Sequence, residues 1–249
     1  SNEVFQRASL DILSAQLTVA GKSKKLIILD LDDTIWGGVV GETGWEGITL
    51  GGHDFMGEAF ADFQKNLLAL SKKGIQLGIV SKNDESVAFE AIDNHPEMII
   101  RRNDFSAWRI NWHDKAQNIK SLLEELNLGV ESAVFIDENP AERERVKGAF
   151  PEILVPDWPE DSANFVNALR ELNCFDTPIV SNEDRSRTSM YVAQRERKKT
   201  LNAVSTKSDW LEKLQTTVTL ANLDSSNIPR VTQLFNKTNQ LNLSTRRFS

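Results

Sequence analysis

Four apolar residues, Leu26, Ile27, Ile28 and Leu29, run straight into Asp30, Asp32 and Asp33, with Thr34 next. Unpaired charge at the end of a buried segment is costly unless a cation or a proton transfer makes use of it. The same arrangement recurs downstream. Ser81, Lys82 and Asn83 close the apolar run 75–80, and Asp137 and Glu138 close the run 133–136. Lys115 falls in the first turn of a helix expected to begin near His113. These residue types suit phosphoryl transfer. One carboxylate attacks phosphorus, a second acid protonates the leaving oxygen, and a hydroxyl and an ammonium hold the transferring oxygens. A further carboxylate helps to hold Mg²⁺, which prefers hard oxygen ligands.

The elements that must position these residues follow from hydrophobic spacing. Residues 26–29 read as a strand buried on both faces, at the centre of a parallel sheet. In extended chain Asp30 and Asp32 point the same way, at the carboxyl edge where open α/β sheets bind ligands. Residues 37–52, rich in glycine, read as a hairpin or flap over that edge. Phe60, Phe63, Leu67 and Leu70 predict a helix over 56–72, ended by Gly74. A strand over 75–80 and a helix over 85–93, capped by Asp84 or Asn83, come next. Then follow a short strand at 98–100 and a loop rich in Trp and Arg over 105–112. Ala116, Ile119, Leu122, Leu123 and Leu126 mark the helix that carries Lys115, stopped by Gly129. A strand over 132–136, a helix opened by Pro140, a strand at 153–155 and a helix over 159–172 complete the series.

Strands and helices that alternate in this way predict an α/β fold, a doubly wound parallel sheet with helices on both faces and right-handed crossovers. The expected organisation is a lead-in helix in 1–22, a core domain in 23–175 and a small α+β extension in 176–249. In the extension, helices are expected over 183–199, 209–214 and 228–236, with a strand at 216–220.

Composition narrows the class. The chain has 249 residues, 40% hydrophobic and 26% charged, with net charge −7. That charge argues against nucleic acid as a partner. No run approaches ~20 apolar residues, so no membrane span is expected. The single cysteine, Cys174, excludes an internal disulfide and fits a reducing, cytoplasmic setting. The N-terminus lacks a signal-peptide pattern. Ser1-Asn2 reads as a scar of tag removal, and the chain as one piece of a longer protein.

DLDDT, IVSKN, the lysine of NWHDK and VFIDENP resemble the four motifs of the haloacid dehalogenase (HAD) superfamily, in order and at strand ends. The resemblance implies that Asp30 forms an aspartyl-phosphate and that Asp32 is the general acid and base. It implies that Ser81 and Lys115 bind phosphate, with Lys82 and Asn83 beside them. Asp30, the Asp32 carbonyl and Asp137 would hold Mg²⁺. Longer stretches, among them DLDDTIWGGVVGETG, RINWHDKAQNI and KTNQLNLSTRR, resemble the FkbH-like family over about 24–247. That family implies removal of phosphate from 1,3-bisphosphoglycerate and loading of the glyceryl unit as a thioester onto an acyl carrier protein. Two positions depart from the pattern: Asp33, where Asn is common, and Glu138, where a second Asp is common.

Neither gap between motifs has room for a large cap domain, so an open site is expected, suited to a bulky substrate such as a carrier's pantetheine arm. Cys174 is the one internal thiol that could accept the acyl group, against its reading as a small buried hydrophobe. Arg109, with Arg101 and Arg102, could bind a second phosphate or simply form a solvated surface. The basic stretch 185–199 could dock an acidic carrier or be a solvated face. His53, His95 and His113 have no ligand spacing. Asn239, Gln240, Asn242, Arg246 and Arg247 could line the site. The rival readings are a plain phosphomonoesterase of a small phosphorylated substrate and a non-catalytic interaction module.

Overall fold

The structure is a computed structural model. It describes residues 23–175 continuously, and residues 4, 5, 8, 9, 12, 13, 15, 16, 188, 190–193, 195, 197, 220, 222–225, 227, 228 and 230–232 outside that stretch. The chain divides into two compact units, Ser1–Lys198 and Lys199–Ser249.

In chain order the first unit contains β1 (Leu26–Leu29), a short α1 (Val40–Thr43), α2 (Phe55–Lys72), β2 (Gln76–Ser81), α3 (Glu85–Asn94) and β3 (Phe105–Ile110). Then come α4 (Lys115–Leu126), β4 (Ala133–Ile136), α5 (Pro140–Ala149) and α6 (Phe165–Glu171). The four strands form one sheet in the order β3-β2-β1-β4, every pair parallel. Each strand of a parallel pair needs a crossover, and the intervening helices supply it.

The period-two alternation of β1 sorts the core. Ile27 and Leu29 pack with Phe60, Phe63 and Leu67 of α2, Ala88 and Ile92 of α3, and Phe165 of α6. Leu26 and Ile28 pack on the opposite face with Ile119, Leu122 and Leu126 of α4 and Val146 of α5. The sheet is therefore covered on both sides, as a β1 of four fully buried residues requires.

Local chemistry sets the helix boundaries. Asp54 accepts from Met56 N and Gly57 N at the start of α2, and Asp84 from Ser86 N and Val87 N at the start of α3. Asp114 accepts from Gln117 N before α4, and Asn139 from Ala141 N before Pro140 opens α5. These bonds satisfy orphan N–H groups of the first turn. The C-terminus of α4 is set by Asn127, in the left-handed region at φ 51, and not by Gly129 as the sequence suggested. Asn is among the few non-glycine residues that adopt this conformation at low cost.

Two expectations for the middle of the chain are corrected. Residues 98–100 are not a strand, because the Ile99 and Ile100 N–H groups donate to Oε1 of the buried Gln64, at 2.9 and 3.2 Å, and so have no strand partner. The expected loop at 105–112 instead contains β3, paired with β2 from Leu77↔Phe105 to Ser81↔Ile110. Residues 153–155 form a single parallel bridge, Val134↔Leu154, beside β4. The expected helix over 159–172 begins with a 3₁₀ turn at Ser162–Asn164 before α6. The glycine-rich segment after Trp36 is the short α1 with one antiparallel bridge, Gly37↔Thr49.

The described residues of 4–16 and of 188–197 are helical. Tyr191 OH donates to Leu126 O at 2.9 Å, and the Arg195 guanidinium stacks 4.0 Å from the Trp108 ring. In the second unit, Asp224 and Asn227 exchange hydrogen bonds ahead of the helical residues 228 and 230–232. The expected helix at 209–214 and, but for its last residue Leu220, the expected strand at 216–220 lie outside the described residues. No helix among those described is long and apolar enough to cross a membrane.

Candidate active site

Strand register builds the site. Leu29 of β1 pairs with Ile136 of β4, so the next residues, Asp30 and Asp137, are direct neighbours. Asp30 continues the parity of Leu26 and Ile28, and Asp137 that of Ala133 and Phe135, so both carboxylates face the α4 side. Adjacent parallel strands are about 4.8 Å apart, close enough for like charges to repel strongly away from water. The N-terminus of α4 resolves this. Its first residue, Lys115, extends Nζ to within 2.8 Å of Asp30 Oδ2 and 2.6 Å of Asp137 Oδ2. All three side chains are buried.

The remaining oxygens define a second feature. Asp30 Oδ1 is buried and finds no hydrogen-bond donor among the described residues. One oxygen each from Asp30, Asp137 and Glu138 lies within 4.8 Å of the others. Glu138 is held there by Thr34 Oγ1, which donates to Oε2 at 2.8 Å. Arg143 Nη1 donates to the carbonyls of Asp137 and Glu138 at 2.9 and 2.7 Å and fixes that turn. Three carboxylates that gather hard oxygen donors, one of them with an unsatisfied buried oxygen, fit a cation such as Mg²⁺.

The electrostatics agree. Burial, then the charge of Asp30, pushes Asp137 up to about 6 against the opposing Lys115 ammonium. Burial, with Asp30 and Asp137 adding to it, pushes Glu138 up to about 7. Burial works against the charge of Lys115, but Asp30 and Asp137 outweigh it and hold the ammonium above its ordinary range.

Asp32 stands apart from this cluster. Its Oδ1 accepts from Trp36 Nε1 at 2.9 Å and from Val40 N at 3.0 Å, and its Oδ2 from Asn83 Nδ2 at 2.9 Å. Burial raises its pKa, while the Val40 and Trp36 bonds oppose the rise. Asp33 takes the left-handed region at φ 50 and accepts from Gly38 N. Asp and Asn both tolerate this conformation, which accounts for Asp where Asn is expected.

The other candidates separate. Ser81 ends β2, buried, on the strand next to Asp30, and its carbonyl accepts from Asn111 N. Lys82 pairs with Glu142 of α5 at 2.6 Å. Arg109 turns to α4, donating to Ser121 and pairing with Glu125 at 2.8 Å. Arg101 donates to Ile92 O, and Arg102 pairs with Asp93, both at the C-terminal end of α3. Cys174 accepts from Lys24 N through its carbonyl, ahead of β1. The six residue steps from Lys24 to Asp30 span about 20 Å in extended chain, so the thiol lies at the opposite sheet edge. Asn239, Gln240, Asn242, Arg246 and Arg247, together with Arg185, Arg187, Lys198 and Lys199, lie outside the described residues.

Sequence reasoning named Glu138 only as a departure from the family pattern, not as a ligand, and left Trp36 out of the site. Glu138 had a usable signal, a further acid next to Asp137. Trp36 had none, because an aromatic after a strand reads as core.

The four parallel strands with helices on both faces form a doubly wound α/β fold, with the acids gathered at its carboxyl edge. The solved structure of the N-terminal part of a Bacteroides fragilis protein, containing a phosphatase domain and complexed with Mg, is similar at 42% identity and TM-score 0.65. The match covers 67% of this chain and 44% of that one, so the chain spans less than half of the relative's length. Two other structures align with lower scores. A haloacid dehalogenase-like hydrolase from Xanthomonas campestris has 14% identity and TM-score 0.40, covering 61% of this chain and 92% of that one. The cobalt-bound deoxy-D-mannose-octulosonate 8-phosphate phosphatase of Haemophilus influenzae has 17% identity and TM-score 0.33, covering 63% and 95%. No protein-family profile matches the chain, and neither does any curated protein.

Proposed function

We propose that the chain is a Mg²⁺-dependent phosphoryl-transfer enzyme whose nucleophile is Asp30. The observation that carries this reading is the state of that carboxylate. One oxygen is held by Lys115, and the other is buried without a donor beside Asp137 and Glu138. Such an arrangement costs stability and is retained where an ion and a phosphoryl group complete it. The Mg complex of the 42%-identical phosphatase-domain structure supports the same choice of metal.

Asp30, Asp137 and Glu138 would hold Mg²⁺, with the Asp32 carbonyl as a further ligand by resemblance. The ion would neutralise charge on the phosphoryl oxygens. An Asp30 oxygen attacks phosphorus, the bond to the leaving oxygen breaks, and Asp32 gives that oxygen its proton. Asp32 then takes a proton from a water that attacks the aspartyl-phosphate, which frees phosphate and restores Asp30. Lys115 and Ser81 would hold the transferring oxygens, as the resemblance implies.

Within this class we propose glyceryl transfer from 1,3-bisphosphoglycerate to an acyl carrier protein, which rests on the FkbH-like stretches. The modest insertions at the sheet edge, α1 after β1 and α3 after β2, support a site open to a carrier arm. With Cys174 at the far edge, Asp30 would take the phosphoryl group of the C3 phosphate ester, and the carrier thiol would attack the C1 carbonyl and displace the acyl phosphate's phosphate, so that the acyl group passes directly to the carrier. The test is intact-protein mass spectrometry of chain, Mg²⁺, 1,3-bisphosphoglycerate and a phosphopantetheinylated carrier, with Asp30→Asn as control. A glyceryl adduct on the carrier, lost in Asp30→Asn, is the expected result. Phosphate release without an adduct would leave a plain phosphomonoesterase, and no release from any phosphate ester would sink the enzyme reading.

A further inference from the structure

Asp32 receives three hydrogen bonds from two separate parts of the chain. Trp36 Nε1 and Val40 N both donate to Oδ1, and Asn83 Nδ2 donates to Oδ2. Trp36 is fully buried and Asn83 nearly so. The Asn83 amide cannot turn over freely, because its Oδ1 accepts from Asp84 N at 2.9 Å, which directs Nδ2 to Asp32. Asp84 in turn caps α3, so the orientation of Asn83 is tied to the start of a helix.

A carboxylate oxygen offers about two acceptor sites. Oδ1 therefore has both sites filled by the Trp36 and Val40 donors, and Oδ2 keeps one beside Asn83. We infer that Trp36 and Asn83 are positioning residues that reserve Oδ2 of Asp32 as the one oxygen able to carry the transferred proton. The inference rests on the phosphoryl-transfer reading and assigns its acid–base step to a single atom. The proton leaves Oδ2 for the leaving oxygen as the phosphorus–oxygen bond breaks. The same oxygen then takes the proton of the attacking water as the aspartyl–phosphorus bond breaks. The segment after β1 is on this account a clamp on the acid: its first turn supplies Trp36, and the start of α1 supplies Val40 N.

This changes the role expected of Asn83. It is bound to the acid, so its loss should follow the need for a proton and not the need for phosphate binding. A good leaving group departs without protonation, and a poor one does not. The experiment compares kcat/KM for p-nitrophenyl phosphate and phenyl phosphate in the Mg²⁺-loaded wild type, Asn83→Ala and Trp36→Phe, with folding checked by circular dichroism. Trp36→Phe keeps a ring in the core and removes the N–H donor, so it tests the same idea where Asn83→Ala perturbs the fold. Both variants are expected to lose about tenfold more on phenyl phosphate than on p-nitrophenyl phosphate. In an Asp32→Ala background, Asn83→Ala should cost nothing further on either ester. Equal losses on the two esters, or an added loss in that background, would overturn the inference and leave phosphoryl transfer standing. A wild type inert to both esters with Mg²⁺ would overturn the phosphoryl-transfer reading and this inference with it.

Discussion

The Lys115 ammonium lies 2.6 Å from Asp137 Oδ2, and both side chains are buried at the carboxyl edge of the sheet. The same ammonium reaches Asp30 at 2.8 Å. A single cation thus separates two carboxylates that strand pairing forces together.

Removing that cation leaves two buried carboxylates facing each other. Lys115→Met is expected to lower the unfolding free energy of the metal-free chain by about 3 kcal/mol, the range for breaking a buried ion pair from one side. Urea denaturation measures it. Mg²⁺ should recover part of the loss while phosphate release stays abolished, and a variant as stable as wild type would contradict the role given to the pair.

The raised carboxyl groups set a pH dependence with an unusual sign. Asp137, up to about 6, and Glu138, up to about 7, hold their protons longer in the folded chain than in the unfolded one. The stability they contribute is full below the ordinary carboxylate range and is lost as pH rises through about 6 to 7. The metal-free melting temperature should therefore fall across this window. Deprotonation is also what a cation requires, so the gain in melting temperature with Mg²⁺ should be larger at pH 7.5 than at pH 5.5. Scanning fluorimetry at the two pH values decides it, and a gain that shrinks towards pH 7.5 would count against the carboxylate cluster as the metal site.

Glu138 is expected to act through the metal. Glu138→Gln removes its charge and keeps the Thr34 hydrogen bond possible. Mg²⁺ affinity, read by calorimetry or by the Mg²⁺ dependence of phosphate release, should weaken about tenfold or more, as loss of a supporting group at a metal site commonly does. Rates at saturating Mg²⁺ should recover much of the difference.

Cys174 gives the opposite expectation. Its position ahead of β1, next to Lys24, separates it from Asp30 by the length of the strand. Cys174→Ser should leave phosphate release and any adduct on a carrier at wild-type levels. An acyl adduct on the chain that disappears in this variant would show that the thiol reaches the site by a route the fold does not provide.

Much of this architecture is written in local patterns. The buried run at β1, the 3.6-residue spacing of α2 and α4 and the acids at strand ends are properties of contiguous residues, so they can be read one segment at a time. What could not be read depends on distant partners. The apolar triplet 98–100 is a better strand by composition than Phe105–Ile110, but Gln64, from α2, takes its N–H groups. β3 has its hydrogen bonds from β2, with a register shift at Leu77/Gly78 that no pattern within FSAWRI announces. In the site, Asp30, Asp32, Lys115 and Asp137 stood out because buried charge is rare. The bond from Trp36 to Asp32 did not, because it needs the chain to fold back after β1.

The alternation along β1 has one more consequence. Leu26, Ile28 and Asp30 share a face, as do Ile27, Leu29 and Leu31. A slip of one residue against β4 would swap the two sets, driving an acid into grease and a leucine in among the carboxylates. The greasy interior is thus the ruler by which the polar edge is aligned. The spacing of the acids is therefore set by the core strands and not by the loops around that edge.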